Sequence, residues 1–173
     1  MLMGRTGLRK GCESYFFLTY DRCLTWQGPY SFPMFGELGI AARTDIIKDQ
    51  SDTHRAKLFL SSTKPDGDEG RVFCAETQNG GRSFKFTSWI RESPEGFDIM
   101  PSSLKLTSGR LMTALRCRSS DNNRGWIDLM YSDDGAISWS QLSKPVVNTG
   151  TGGNPPAMLR LSDGSICLIY GYR

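Results

Sequence analysis

Ser132-Asp133-Asp134-Gly135-Ala136-Ile137-Ser138-Trp139 is the stretch that decides the reading of this chain. It sets a hydroxyl residue, then an acid, a small residue, a second hydroxyl and an aromatic in fixed order. An aspartate side chain accepts backbone N–H bonds across a tight turn. Glycine permits a positive φ there, and a tryptophan closing the turn needs a surface to pack against. The same order occurs twice more, as Thr77-Gln78-Asn79-Gly80-Gly81-Arg82-Ser83-Phe84 and Thr19-Tyr20-Asp21-Arg22-Cys23-Leu24-Thr25-Trp26. The closing aromatics stand 58 and 55 residues apart. Cys23 and Ala136 occupy the place that Gly81 holds in the second copy. Asp21, Asn79 and Asp134, with Trp26, Phe84 and Trp139, are therefore expected to be structural.

A second pattern keeps the same offset. Pro101 to Leu115 matches Pro156 to Tyr170, with Leu104 over Leu159, Leu106 over Leu161, Gly109 over Gly164 and Leu111 over Ile166, all 55 apart. Two independent patterns with one period make a structural repeat. Each unit reads as strands. Leu111, Thr113 and Leu115 alternate with period two, as do Ile127, Leu129 and Tyr131. Thr107-Ser108-Gly109 and Ser162-Asp163-Gly164 carry hairpin-turn chemistry. Earlier strands fall at 57–64 and 71–76, and no segment shows a helical period. Four antiparallel strands per unit, repeated radially, predict an all-β fold of β-propeller blades. The material amounts to about three blades of a larger propeller of about six. Residues 1–14 are expected to form an unstructured or loosely packed start. Residues 15–173 form the partial propeller, its first turn preceded by a single strand at 15–18.

Bulk properties narrow the function. The chain has 173 residues with 21 basic and 18 acidic side chains, a net charge of +3. That balance, without a basic run, excludes a nucleic-acid footprint. No apolar stretch is long enough for a membrane helix, and residues 1–18 do not read as a signal peptide. Localisation stays open between cytoplasm and secretion under a leader further upstream. Five cysteines without a C-x-x-C pair argue against a zinc site and a full disulfide framework, and read as mostly reduced strand cysteines. His54, the single histidine, falls in a polar run and is expected in a solvated loop.

Strand alternation also locates candidate chemistry. If the strands of a blade run A, B, C, D in alternating directions, the A–B and C–D turns share one edge. The opposite edge holds the start of A, the end of B and the B–C loop, near the axis where propellers bind ligands. The segments before the inner strands are Ala42-Arg43-Thr44-Asp45, Phe97-Asp98-Ile99-Met100 and Gly152-Gly153-Asn154-Pro155. They align yet differ chemically, as functional positions on a repeated scaffold do. At the second-strand ends, Thr63, Arg118 and Arg173 align, with Arg116 close by. The expected substrate-binding set is Arg43, Asp98, Arg118 and Arg173, and the expected catalytic acid is Asp45. Clustered arginines suit a carboxylate, which a planar guanidinium binds through two hydrogen bonds.

The three turns resemble the Asp-box of the BNR-repeat family. Gly39-Ile40-Ala41-Ala42-Arg43-Thr44-Asp45, Met100-Pro101-Ser102-Ser103-Leu104, Gly153-Asn154-Pro155-Pro156 and Tyr170-Gly171-Tyr172-Arg173 extend that likeness to sialidase-type members. The resemblance runs from about Tyr15 to the last residue. It implies a six-bladed propeller that grips a sialic acid carboxylate with three arginines. It also implies a Tyr–Glu nucleophile pair, an aspartate acid/base, and no metal or organic cofactor. Arg43 and Arg173 fit the arginine set, Arg118 fits it less closely, and Asp45 fits the acid. Glu76 and Tyr172 fall on strands outside any motif for the pair, and the family's Arg-Ile-Pro stretch is absent from this sequence. The expected function is exo-glycosidase release of terminal sialic acid or a similar acidic sugar from glycoconjugates. The alternatives are a non-catalytic BNR propeller that binds glycan or protein, and another six-bladed glycosidase such as an exo-arabinanase. The expected partners are a glycan or small acidic sugar and the remaining blades.

Overall fold

Leu58 and Leu60 point one way from their strand and Phe59 the other, and all three are buried. A strand that is apolar on both faces must lie between two layers, and the whole architecture repeats that condition. The computed structural model describes residues 1–173, apart from the side chain of Thr44. It is all-β, with four antiparallel sheets. The first blade holds β1 (Leu2–Arg5), β2 (Ser14–Leu18) and β3 (Gln27–Ser31). The second holds β4 (Ile40–Lys48), β5 (Ala56–Thr63), β6 (Glu69–Thr77) and β7 (Lys85–Arg91). The third holds β8 (Phe97–Lys105), β9 (Leu111–Arg118), β10 (Gly125–Ser132) and β11 (Ser140–Val146). A final pair, β12 (Ala157–Arg160) and β13 (Ile166–Ile169), packs beside β8. The second and third are propeller blades of four antiparallel strands, flanked by a three-stranded sheet and a two-stranded pair. The start of the chain departs from expectation: residues 2–5 are not loose but pair as β1 with β2, from Leu2 opposite Phe17 to Arg5 opposite Ser14.

Apolar residues fill the seams between blades. Phe16 and Phe32 of the first blade meet Leu58, Leu60, Phe73 and Ala75 of the second. Phe59, Val72, Cys74 and Ile90 leave the other face of the second blade to meet Leu111, Leu115, Cys117, Trp126 and Met130 of the third. Ala114 and Ile127 face the last pair, against Met158 and Leu168.

The three repeated turns join β2 to β3, β6 to β7 and β10 to β11, and they share one hydrogen-bond plan. The first hydroxyl accepts the amide four residues on: Cys23 N to Thr19 Oγ1, Gly81 N to Thr77 Oγ1 and Ala136 N to Ser132 Oγ, each 2.9 Å. The carboxyl or amide oxygen accepts the next hydroxyl residue's N–H: Thr25 to Asp21 at 2.9 Å, Ser83 to Asn79 and Ser138 to Asp134 at 3.0 Å. This path needs two consecutive residues at positive φ. Gly80 and Gly81 provide them in the second turn, but Arg22, Cys23 and Ala136 adopt them without being glycine.

Candidate arginine-bearing site

Two inner strands break register at corresponding places near one edge of the molecule. The β4–β5 ladder shifts between Ala41 and Asp45, and the β8–β9 ladder between Ile99 and Ser102. Arg43 and Met100 sit inside these irregularities, with Met100 at φ 52°. Arg43 and Asp45 were expected in a turn before β4, and Asp98 before β8; all three lie within the strands.

Arg43 is buried against Glu69, the first residue of β6. Its Nε donates to Glu69 Oε1 at 3.0 Å and its Nη2 to Oε2, a two-pronged pair. Arg5, at the end of β1, donates to the Ala42 carbonyl at 3.4 Å. From the third blade, Arg116 donates through Nη1 to Met100 Sδ at 3.3 Å and through Nη2 to the Gly152 carbonyl. Arg118 lies over the Phe97 ring at 4.8 Å, with Lys64 over the same ring at 4.7 Å. Glycine at position 96 lets the chain pass, since a Cβ there would stand 2.3 Å from the Arg118 carbonyl oxygen. Arg173 donates from Nε to Asn154 Oδ1 at 2.8 Å, and its backbone bonds to Thr149 and Thr151.

These groups converge electrostatically. The Arg116 guanidinium is held below its ordinary value, first by burial and then by the positive charges of Arg118, Arg173 and Arg43, with Glu69 opposing. The buried Nε atoms of Arg116 and Arg118 have no hydrogen-bond partner among the described residues. Positive charges acting on Arg116, opposed by Glu69, leave free Nε donors at one edge, an arrangement suited to an oxyanion.

Other candidates lie elsewhere. Asp45 stands opposite Phe59, further along β4. Burial pushes its carboxyl up, while the Ser103 hydroxyl and amide hold it back. Its buried Oδ2 has no partner among the described residues. Asp98 is not with the arginines: it faces the seam between the second and third blades and is ion-paired to Arg91 at 2.9 Å. The alternation of β8 explains this, because Asp98 pairs in register with Cys117, whose side chain points into that seam. Glu76 is on the far edge, paired with Lys57 at 3.2 Å. There a cleft of about 170 Å³ opens among Lys48, Asp49, Lys57, Glu76 and Lys105, away from the arginines. His54 lies in the exposed β4–β5 loop, as expected. All five cysteines are free; Cys74, Cys117 and Cys167 lie in strands, and Cys12 and Cys23 do not. Sequence reasoning passed over Glu69, which no motif marks. It treated Arg116 only as a neighbour of Arg118, although spacing of two on one strand puts both on one face.

No protein family and no curated protein matches this chain. Solved structures do. A mutant of the α-L-arabinofuranosidase Arb93A from Fusarium graminearum is 14% identical, with a TM-score of 0.60 over 72% of this chain and 38% of that one. A mutant of NanB sialidase from Streptococcus pneumoniae is 16% identical, with a TM-score of 0.67 over 92% of this chain and 23% of that one. An endo-1,4-β-xylanase from Bacteroides thetaiotaomicron is 17% identical, with a TM-score of 0.57 over 91% and 60%. The likeness is one of fold, a sialidase-like β-propeller. The chain spans less than two thirds of each of these proteins.

Proposed function

We propose that the arginine-bearing edge binds the carboxylate of an acidic sugar, and that this chain is part of a sialidase-like retaining exo-glycosidase. The observation that carries the reading is that Arg116 and Arg118 hold buried Nε atoms without partners while the charges of Arg118, Arg173 and Arg43 act on Arg116. Glu69 orients Arg43, leaving the donors of Arg116, Arg118 and Arg173 for the ligand. The carboxylate would displace Arg116 from the Gly152 carbonyl and gain charge-assisted bonds. The similar sialidase and arabinofuranosidase folds support a glycoside substrate, and surplus positive charge favours the acidic sugar over a neutral furanoside.

Asp45 is the candidate general acid. Burial raises its carboxyl, the direction that donation to a leaving oxygen requires. The three repeated turns are read as Asp-boxes of the BNR type, with Asp21, Asn79 and Asp134 as scaffold. A second reading, a non-catalytic propeller that binds an acidic glycan, is favoured by one observation: the groups acting on Asp45 are Ser103 and its own strand rather than the arginines.

Two measurements separate the readings. Titration with free sialic acid should show binding that Arg116→Ala weakens at least about tenfold, as expected for a lost charge-assisted pair; unchanged binding sinks the carboxylate site. Release of 4-methylumbelliferone from its sialic acid conjugate, lost in Asp45→Asn, supports the enzyme. Binding without release supports the second reading.

A further inference from the structure

Arg91 leaves the outer strand of the second blade and ends inside the third. Its Nη1 donates to Asp98 Oδ2 at 2.9 Å and to Asp128 Oδ2 at 2.8 Å. The two aspartate side chains are only 1% and 4% exposed. The surroundings are Cys117, Trp126 and Met130 of the apolar seam. Two ionised carboxylates on one guanidinium would leave a net negative charge buried there, which is costly. Protonation of one carboxyl relieves that cost.

The donors show which carboxyl takes it. Asp128 also accepts from Trp126 Nε1 at 3.1 Å, Gln141 Nε2 at 3.3 Å and the Cys117 thiol at 3.7 Å. Asp98 has Arg91 and the neighbouring Cys117 thiol. The titratable and charged groups facing Asp98 are Arg91 from β7, Cys117 from β9 and Asp128 from β10. Arg116 and Arg118 lie on the opposite face of β9. We propose that Asp98, buried beside Asp128 on the Arg91 guanidinium, carries a proton, and that this proton makes the seam between the second and third blades a pH-sensitive clamp.

Burial pushes the Asp98 carboxyl up to about 6, against the pull of Arg91. An unfolded aspartate titrates near about 3.9. The folded state therefore binds the proton more tightly. Its stabilising effect is complete below about pH 4 and is lost as pH rises through about 6. The clamp also touches the candidate site, because Met100, two residues from Asp98, receives the Arg116 hydrogen bond.

The test has two arms on the full chain. Carboxyl-carbon NMR should give Asp98 a midpoint near about 6; a midpoint in the ordinary range near about 3.9 overturns the proposal. Urea unfolding should show a folded-to-unfolded ratio about tenfold higher at about pH 5 than at about pH 7.5. Asp98→Asn should abolish that difference. If Asp98→Asn keeps the wild-type difference, the proposal fails. His54→Gln, the control for the histidine, should keep the difference, and losing it there would also overturn the assignment. Should Asp98→Asn not fold, the NMR midpoint alone decides.

Discussion

An arginine can be a ligand for substrate or a strut, and its partners tell which. Arg43 and Glu69 are 8% and 7% exposed and bond through two prongs. Removing one partner of such a pair leaves an uncompensated buried charge. Glu69→Ala should therefore cost about 3–5 kcal/mol in urea unfolding, whereas Arg43→Met with Glu69→Leu should cost far less. Equal losses would mean that the pair acts through packing, not charge. Arg116 and Arg118 are the opposite case, with buried Nε atoms that no described residue satisfies. The sequence showed arginines gathering at one edge because strand ends align at the repeat offset. It did not show Asp98 turning away, since the irregularity between Ile99 and Ser102 resets alternation along β8. Nor did it show Glu69, whose role exists only once β6 starts beside β4.

At the scale of the element, the repeated turn was the most legible feature, because its hydrogen bonds are local and recur in all three copies. What the pattern concealed is that Cys23 and Ala136 take the positive φ of Gly81. The plan of bonds outweighs the backbone preference of the residue. Strand β1 was illegible because Leu2-Met3-Gly4-Arg5 has no alternation; only its pairing with β2 makes it a strand. The turns also set an acid limit on stability. The hydroxyl and amide of Thr25 hold the Asp21 carboxyl down to about 2, and those of Ser138 hold Asp134 lower still. A lowered folded value contributes stability above the unfolded value of about 3.9 and loses it as pH falls toward about 2. Acid unfolding monitored by tryptophan fluorescence should be less steep in Asp134→Asn than in wild type across that range. An identical acid transition would show that the turn carboxylates do not drive it.

For the whole molecule, the seams decide stability, and the two seams flanking the second blade are each closed by an aromatic from a repeated turn. Phe84 packs on Phe16 and Phe32 of the preceding blade, with ring centroids 5.3 Å and 4.8 Å away. Trp139 meets Phe59 of its preceding blade at 6.1 Å, and its Nε1 donates to Ser88 Oγ at 3.1 Å. Trp26 holds the same place in the first turn but is 41% exposed, beside exposed Tyr20 and Leu24. Identical positions in the repeat therefore carry different energies, set by whether a blade stands in front of them. Trp139→Ala removes a half-buried ring and a hydrogen bond, so it should cost about 2–3 kcal/mol, below the range for a fully buried tryptophan. Trp26→Ser should cost about 0.5 kcal/mol or less. If the two substitutions cost the same in urea unfolding, the seam is not what distinguishes them, and the blade-by-blade account of stability fails.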